Sequence, residues 1–439
     1  RGAGTVRSQH ALGVPVGVRR HCPTVSASDA TARYRAHMTA VLITDVRPWG
    51  GGACDIEIAD GTITAVRPAG PIMPVPGTAV VEGRGRLALP SFADVHVHLD
   101  STRLGLPFRA HTGAPGVWAM MLNDRQNWRD AEASITQRTT STLGRMIERG
   151  TTVVRSYAQV DVDCGLQRLE AVLSAKEAHA QRADVQVIAF PQAGLLLEPG
   201  SAEVLGAALA NGADVVGGID PCALDRDPVR HLDIVFGLAE RFGVPVDIHL
   251  HEPDQLARFS AELILERIRA LDLRGRVTIS HGYGLAGLPE AQLRTLLEQF
   301  LEWDVAMATV APPSPLPTVL LAEYGIRLGL GEDGQRDYWS PYGNADMLDR
   351  TWQLAFTNGF RQDRLIEHCL AIATRGGRAV IGTAPRLSGL DDRPGVRVGD
   401  PADLVLLPGE TVTAAVMDRG DDRTVLHRGR VVADGLQLV

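Results

Sequence analysis

Between about residues 88 and 385 the chain alternates short apolar runs with amphipathic stretches, and this alternation restricts the fold more than any other feature. Eight runs read as strands: "LPSFADVHVHL", "TTVVRSYAQV", "VQVIAFPQ", "DVVGGI", "PVDIHLHE", "RVTISHG", "VAMATVAP" and "IRLGLGEDG". Between them, stretches such as "LQRLEAVLSAKEAHAQ" and "RHLDIVFGLAERFG" space apolar residues three and four apart, as helices do. Strands and helices in this order predict an α/β fold, a TIM-like (β/α)8 barrel. A doubly wound open sheet is the alternative, but no Gly-rich phosphate turn supports it.

The flanks have another texture. "AVLITDVRP" and "CDIEIADGTITAVRPAG" near the start, and "DPADLVLLPG" and "TVLHRGRVVADG" near the end, alternate with period two. Asp60-Gly61 reads as a hairpin turn. Residues 38–87 and 386–439 are therefore expected to build one small β domain from both chain ends, with 88–385 as the barrel. Residues 1–37 hold six arginines and one acid, Asp29, without amphipathic period. That composition can mimic a transit peptide; the plainer reading is a disordered tail or extension, with Met38 as the functional start.

Barrel enzymes carry their chemistry at the C-terminal ends of the strands. Here the first strand ends in His96 and His98, the third in Gln192, and the fifth in His249, His251 and Glu252. The sixth ends in His281 and the eighth in Asp333. A single histidine at a strand end is commonly a hydrogen-bonded structural residue. Two at period two leave the same strand face, about 6–7 Å apart along it, and can share an ion. With His249 or His251 and Asp333 they offer nitrogen and oxygen ligands that suit one divalent metal, zinc or iron. Glu252 would then be free to shuttle a proton, although an acid at a strand–helix junction can also serve only the helix N-terminus.

These pieces resemble the amidohydrolase superfamily, and within it the cytosine deaminase-like branch. The likeness runs from about residue 40 to 439 and rests on "PSFADVHVHLD", "VQVIAFPQAGLL", "VDIHLHE", "VTISHG", "GEDGQRDYWSPYGNADML" and "GDPADLVLL". It implies metal ligands at His96, His98, His249 and Asp333, and so favours His249 over His251. It implies Glu252 as proton shuttle and His281 as the group that orients the attacking hydroxide. Gln192 would read the substrate's amide edge, and Trp339 would line the pocket. The implied activity is a hydrolytic deaminase of a small, cytosine-like nitrogen heterocycle, in which hydroxide held by the metal attacks an amine-bearing ring carbon. The same machinery could remove a substituted amine or open a cyclic amide, as on triazine- or creatinine-like rings. A barrel that has lost catalysis and only binds is the alternative of a different class.

Two departures stand at the pocket. Cytosine-specific members carry a second acid directly after the metal-binding Asp, where this chain has Gly334 preceded by Glu332 at one further remove. A histidine common on strand two is replaced within "RSYAQVDVD", leaving Tyr157 or Gln159 nearby. Binuclear relatives bridge their metals with a carboxylated lysine; the single lysine here, Lys176, lies in a helical pattern, so one ion is expected. The small zinc deaminases of nucleic acids need an HxE and a PCxxC, but Pro221-Cys222 is followed by Ala-Leu-Asp. A net charge of -8 also argues against nucleic acid as a partner. No apolar run reaches the roughly 18 residues of a membrane span. Five scattered cysteines without a CxxC pair suit a reducing, cytoplasmic setting. The expected partner is a small heterocyclic substrate, and a homo-oligomer is the expected assembly.

Overall fold

The computed structural model describes Gly2 and residues 40–71, 74–113 and 115–439; the tail and the Met38 start lie outside the described residues. The first strands are β1 (Ala40–Pro48), β2 (Cys54–Ala59), β3 (Thr62–Pro68) and β4 (Ala79–Pro90). Asp60 and Gly61 join β2 to β3 with φ of +49° and +75°. A type I′ turn requires positive φ at both positions, which Asp tolerates and Gly favours. The barrel strands follow: β5 (Phe92–Val97), β6 (Thr151–Gln159), β7 (Asp184–Phe190), β8 (Val215–Ile219), β9 (Val246–Leu250), β10 (Val277–His281), β11 (Ala306–Thr309) and β12 (Leu328–Leu330). Last come β13 (Leu404–Leu407), β14 (Thr424–His427), β15 (Arg430–Asp434) and β16 (Gln437–Leu438).

One sheet runs β16-β15-β14-β13-β4-β1-β2-β3 and so joins strands from both chain ends. The other runs β5 to β12 in sequence order, with parallel pairing. Helices between its strands bury apolar stripes against it. The helix Pro228–Phe242 starts at an Asp227 cap that accepts from the Arg230 amide, and ends at Gly243 in the left-handed region. Its Leu232, Val235, Phe236 and Ala239 are buried against the strand layer that holds Val216 and Ile248.

The last barrel strand, β12, is shorter than its sequence run, and Asp333 lies three residues beyond it. Asp333 nevertheless closes the barrel: its amide donates to the His96 carbonyl at 2.7 Å, and its carbonyl accepts from the His98 amide at 3.3 Å. Gln192 and His251 likewise lie just past β7 and β9, in the turns at the rim.

Outside the barrel, His368 is buried in the helix Asp363–Ala371. Burial, then the charges of Arg393 and Arg364, push its imidazole down to about 4. The unfolded chain, with an ordinary imidazole near 6.5, takes up this proton first. His368 therefore removes stability as pH falls from about 6.5 toward 4. Urea unfolding at pH 7 and pH 5 should show that drop, and His368→Leu should reduce it.

Candidate active site

Four histidines and one aspartate converge at the C-terminal mouth of the barrel. The Nε2 atoms of His98 and His249 are 3.4 Å apart. Asp333 Oδ1 stands 3.5 Å from His98 Nε2 and 3.7 Å from His96 Nε2. Two overlapping triads, His96-His98-His249 and His96-His281-Asp333, each bring one ligand atom per residue within 4.8 Å of the others. Both ring nitrogens of His96 and the Nδ1 of His249 are buried without a hydrogen-bond partner. Burial, reinforced by the neighbouring imidazoles, holds His96, His249 and His281 well below the ordinary histidine range. Neutral imidazoles with unshared lone pairs beside a carboxylate fit a divalent ion, because ligand nitrogens must be deprotonated. Lys176 lies in the helix Gln167–Ala178 and pairs with Asp214 at 2.9 Å, so the chain's one lysine does not reach the rim.

The backbone is shaped to deliver these groups. His281 and Asp333 have φ of +67° and +63°, a conformation that costs energy for residues with a Cβ and clusters at functional sites. Gly331 packs against the first of these histidines: an added Cβ would meet His96 Cβ at 2.5 Å. Beneath the imidazoles, Tyr157 packs its ring 4.3 Å from His96 and 4.4 Å from His249, centroid to centroid. Its hydroxyl donates to Asp247 at 2.9 Å, and Arg155 pairs with the same carboxylate at 3.1 Å.

The mouth opens into a cavity of about 820 Å³, lined among others by His98, Gln159, Gln192, His281, Asp333 and Trp339. Part of the lining is apolar, from Met120, Val310, Pro312, Pro313 and Trp352. His281 Nδ1 lies 3.0 Å from the Tyr283 hydroxyl, which itself donates to the Pro312 carbonyl. That network assigns the proton to Nδ1 and leaves Nε2 as an acceptor.

Glu252 is placed differently from the other expected residues. Its Oε1 accepts from the amides of Cys222 and Ala223 at 2.7 and 2.8 Å, and its Oε2 accepts from the Ser260 hydroxyl. The carboxylate is buried and stands outside the set of residues that line the cavity. Burial raises its pKa despite these donors. His251 does line the cavity, with Nδ1 held by Asp220 at 2.8 Å. Burial opposes its protonation, but the hydrogen bond and charge of Asp220 outweigh that and raise its pKa.

Two further carboxylates at the mouth were not singled out by the strand-end pattern. Asp337 accepts from the Trp339 and Ser340 amides at 2.8 and 2.9 Å, which fixes the turn carrying Trp339. It also accepts from Ser101 Oγ at 3.0 Å, and burial pushes it up to about 7. An added Cβ on Gly334 would lie 2.3 Å from Asp337 Oδ2, so Asp337 occupies the space beside that position. Glu332, also on the lining, is pushed up to about 7 by burial. Its place directly before Asp333 was visible, but its orientation was not.

The chain is similar to known proteins. Residues 116–433 match the amidohydrolase family. The N-isopropylammelide isopropylaminohydrolase of Burkholderia multivorans ATCC 17616 is 37% identical, with a TM-score of 0.85 over 92% of this chain and 100% of that one. The 5-methylcytosine deaminase of Klebsiella pneumoniae, solved with 5-fluorocytosine, is 25% identical, with a TM-score of 0.74 over 90% and 97%. The N-isopropylammelide isopropyl amidohydrolase of Pseudomonas sp. (strain ADP) is 27% identical over 362 residues, 80% of this chain and 87% of that protein.

Proposed function

The chain belongs to the amidohydrolase family, and from that premise we propose that it hydrolyses the bond between a ring carbon of a nitrogen heterocycle and its exocyclic amine. It is a hydrolase of carbon–nitrogen bonds other than peptide bonds. The observation that carries the ring reading is the convergence of His96, His98, His249 and Asp333 on a cavity that also presents the amide of Gln192 and the indole of Trp339.

His96, His98, His249 and Asp333 would hold one divalent ion, zinc or iron. Such an ion supplies Lewis acidity and brings the pKa of water toward neutrality. His281 Nε2, an acceptor by its tautomer, takes the proton from the attacking water, and Asp333 steers it. Gln192 and Trp339 orient the ring, the first through hydrogen bonds to its edge and the second by stacking. The aromatic and proline-rich walls exclude bulk water.

The ring nitrogen and the departing amine must then receive protons. Glu252 fits as donor by chemistry, since a carboxyl can relay a proton and burial raises the pKa of this one. To act, its side chain must turn from the Cys222 and Ala223 amides toward the cavity. The position of His251 on the cavity wall favours a second reading, in which its Nε2–H donates while Asp220 holds Nδ1. Two variants separate them. If Glu252 is the donor, Glu252→Gln keeps its metal and loses about 100-fold or more in kcat, while His251→Asn loses far less. The opposite ranking transfers the role to His251.

The leaving amine carries a second reading of its own. The apolar part of the lining, which includes Met120, Pro312 and Pro313, suits an alkyl group on that amine. Release of ammonia or of an alkylamine across pyrimidine, purine and triazine rings tests the two alternatives together.

A further inference from the structure

We propose that Gln159 determines which edge of the ring the cavity accepts, by presenting its carbonyl oxygen to an N–H donor; this rests on the heterocycle reading above. Gln159 ends β6, lines the cavity beside His98 and Asp100, and is only 3% exposed. The two ends of a glutamine amide are nearly equal in size but opposite in hydrogen-bond sense, so their direction decides what they recognise.

Asp161 sets that direction. Its Oδ1 accepts from the Asp163 and Cys164 amides, both at 2.8 Å. Its Oδ2 faces Arg125 at 3.1 Å and the Gln159 amide at 2.7 Å. Burial would raise this carboxylate's pKa, but the Cys164 amide, Gln159 and Arg125 outweigh it and hold the pKa below the usual range. An ionised carboxylate only accepts, so Gln159 must turn its NH2 to Asp161 and its oxygen away from it. Among the described residues no donor reaches that oxygen. Arg125, from the helix Gly116–Asn127, is gripped at 2.8 Å by both oxygens of Glu198, which keeps it against Asp161.

Asp100 fixes the Gln159 backbone. Its Oδ2 takes the Gln159 backbone amide at 2.9 Å, and its Oδ1 is buried without a partner. The Gln159 oxygen is thus an acceptor in need of a donor, and an amino or ring N–H edge satisfies it. A substrate lacking that edge leaves it unpaired, which is the stronger source of discrimination.

The test is calorimetric titration of the metal-loaded protein with two rings. Melamine carries amino donors, and 2,4,6-trimethoxy-1,3,5-triazine places only acceptors at the same positions. Melamine is expected to bind about tenfold tighter or more, the worth of one such bond. Gln159→Met keeps the length, removes the acceptor, and should abolish that preference by weakening melamine. Asp161→Asn should reverse it. In that variant the side-chain carbonyl stays with the two backbone amides, the new NH2 faces Gln159, and the glutamine amide flips to present its own NH2 to the cavity.

A merely structural role would weaken both rings alike. Equal loss of both rings in the two variants, or an unchanged preference in Gln159→Met, overturns the inference and leaves the heterocycle reading standing. Failure of the unaltered protein to bind either ring overturns that reading, and the inference with it.

Discussion

Alanine at His249 will leave a folded chain that holds no stoichiometric divalent ion and loses at least about 1000-fold in kcat/KM on any ring substrate. His249 stands centrally among the convergent groups, with its Nε2 3.4 Å from that of His98 and its ring stacked 4.1 Å from Phe190. Removing it takes away one ligand of the proposed set, and the surviving neutral imidazoles face one another across a gap. The ion would be held at the barrel mouth, away from the apolar layer between strands and helices, so the fold itself should survive. Metal content by elemental analysis, circular dichroism and turnover check the three parts separately. Retained metal with unchanged turnover would remove His249 from the ligand set and leave the His96-His281-Asp333 group to hold the ion.

Arg155→Leu should cost about 3–5 kcal/mol of folding stability, the cost of leaving one member of a buried ion pair alone. Arg155 and Asp247 are buried in the barrel lumen and joined at 3.1 Å. Burial raises the Asp247 pKa, and Arg155 with the hydroxyls of Ser280 and Tyr157 partly offsets it. Without the guanidinium, Asp247 keeps only those neutral donors. Removing both charges, as Arg155→Leu with Asp247→Leu, should recover part of the loss, because no isolated buried charge remains. Urea unfolding of the metal-loaded protein measures both variants. A single-variant loss under about 1 kcal/mol would show the pair to be solvated or dispensable. The same network anchors Tyr157 under His96 and His249, so Arg155→Leu should also weaken metal binding.

The barrel was legible because its signal is periodic. Apolar strands alternating with amphipathic helices have few stable arrangements, and the Asp60-Gly61 hairpin declared itself by turn chemistry. His96 and His98 were legible for the same reason: period two on one strand places both rings on one face. The strand-two pattern was harder to read. Arg155, Tyr157 and Gln159 alternate as a solvent face would, yet they face the lumen, where partners from β9 and β10 satisfy the first two. Such partners are distant in sequence and leave no local trace.

Asp333 could be named but not placed as drawn, because it reaches the site through a left-handed turn beyond β12 and not along the strand. The orientation of Glu252 was equally hidden. Three residues after His249 its direction depends on the turn, and the donors that capture it come from Cys222, Ala223 and Ser260. At Gly334, directly after Asp333, the Asp337 carboxylate comes from three residues further on and occupies the space a Cβ would enter.

The central claim is that one divalent ion at His96, His98, His249 and Asp333 drives removal of an amine from a heterocycle. Its most direct test is amine release from a panel of pyrimidine, purine and triazine rings, by the same protein before chelation, after it, and after return of one equivalent of zinc or iron. The account predicts release from at least one ring, its loss on chelation, and its recovery at one ion per chain. Release that persists in fully chelated protein, or no release from any ring by protein carrying its full complement of metal, would contradict it.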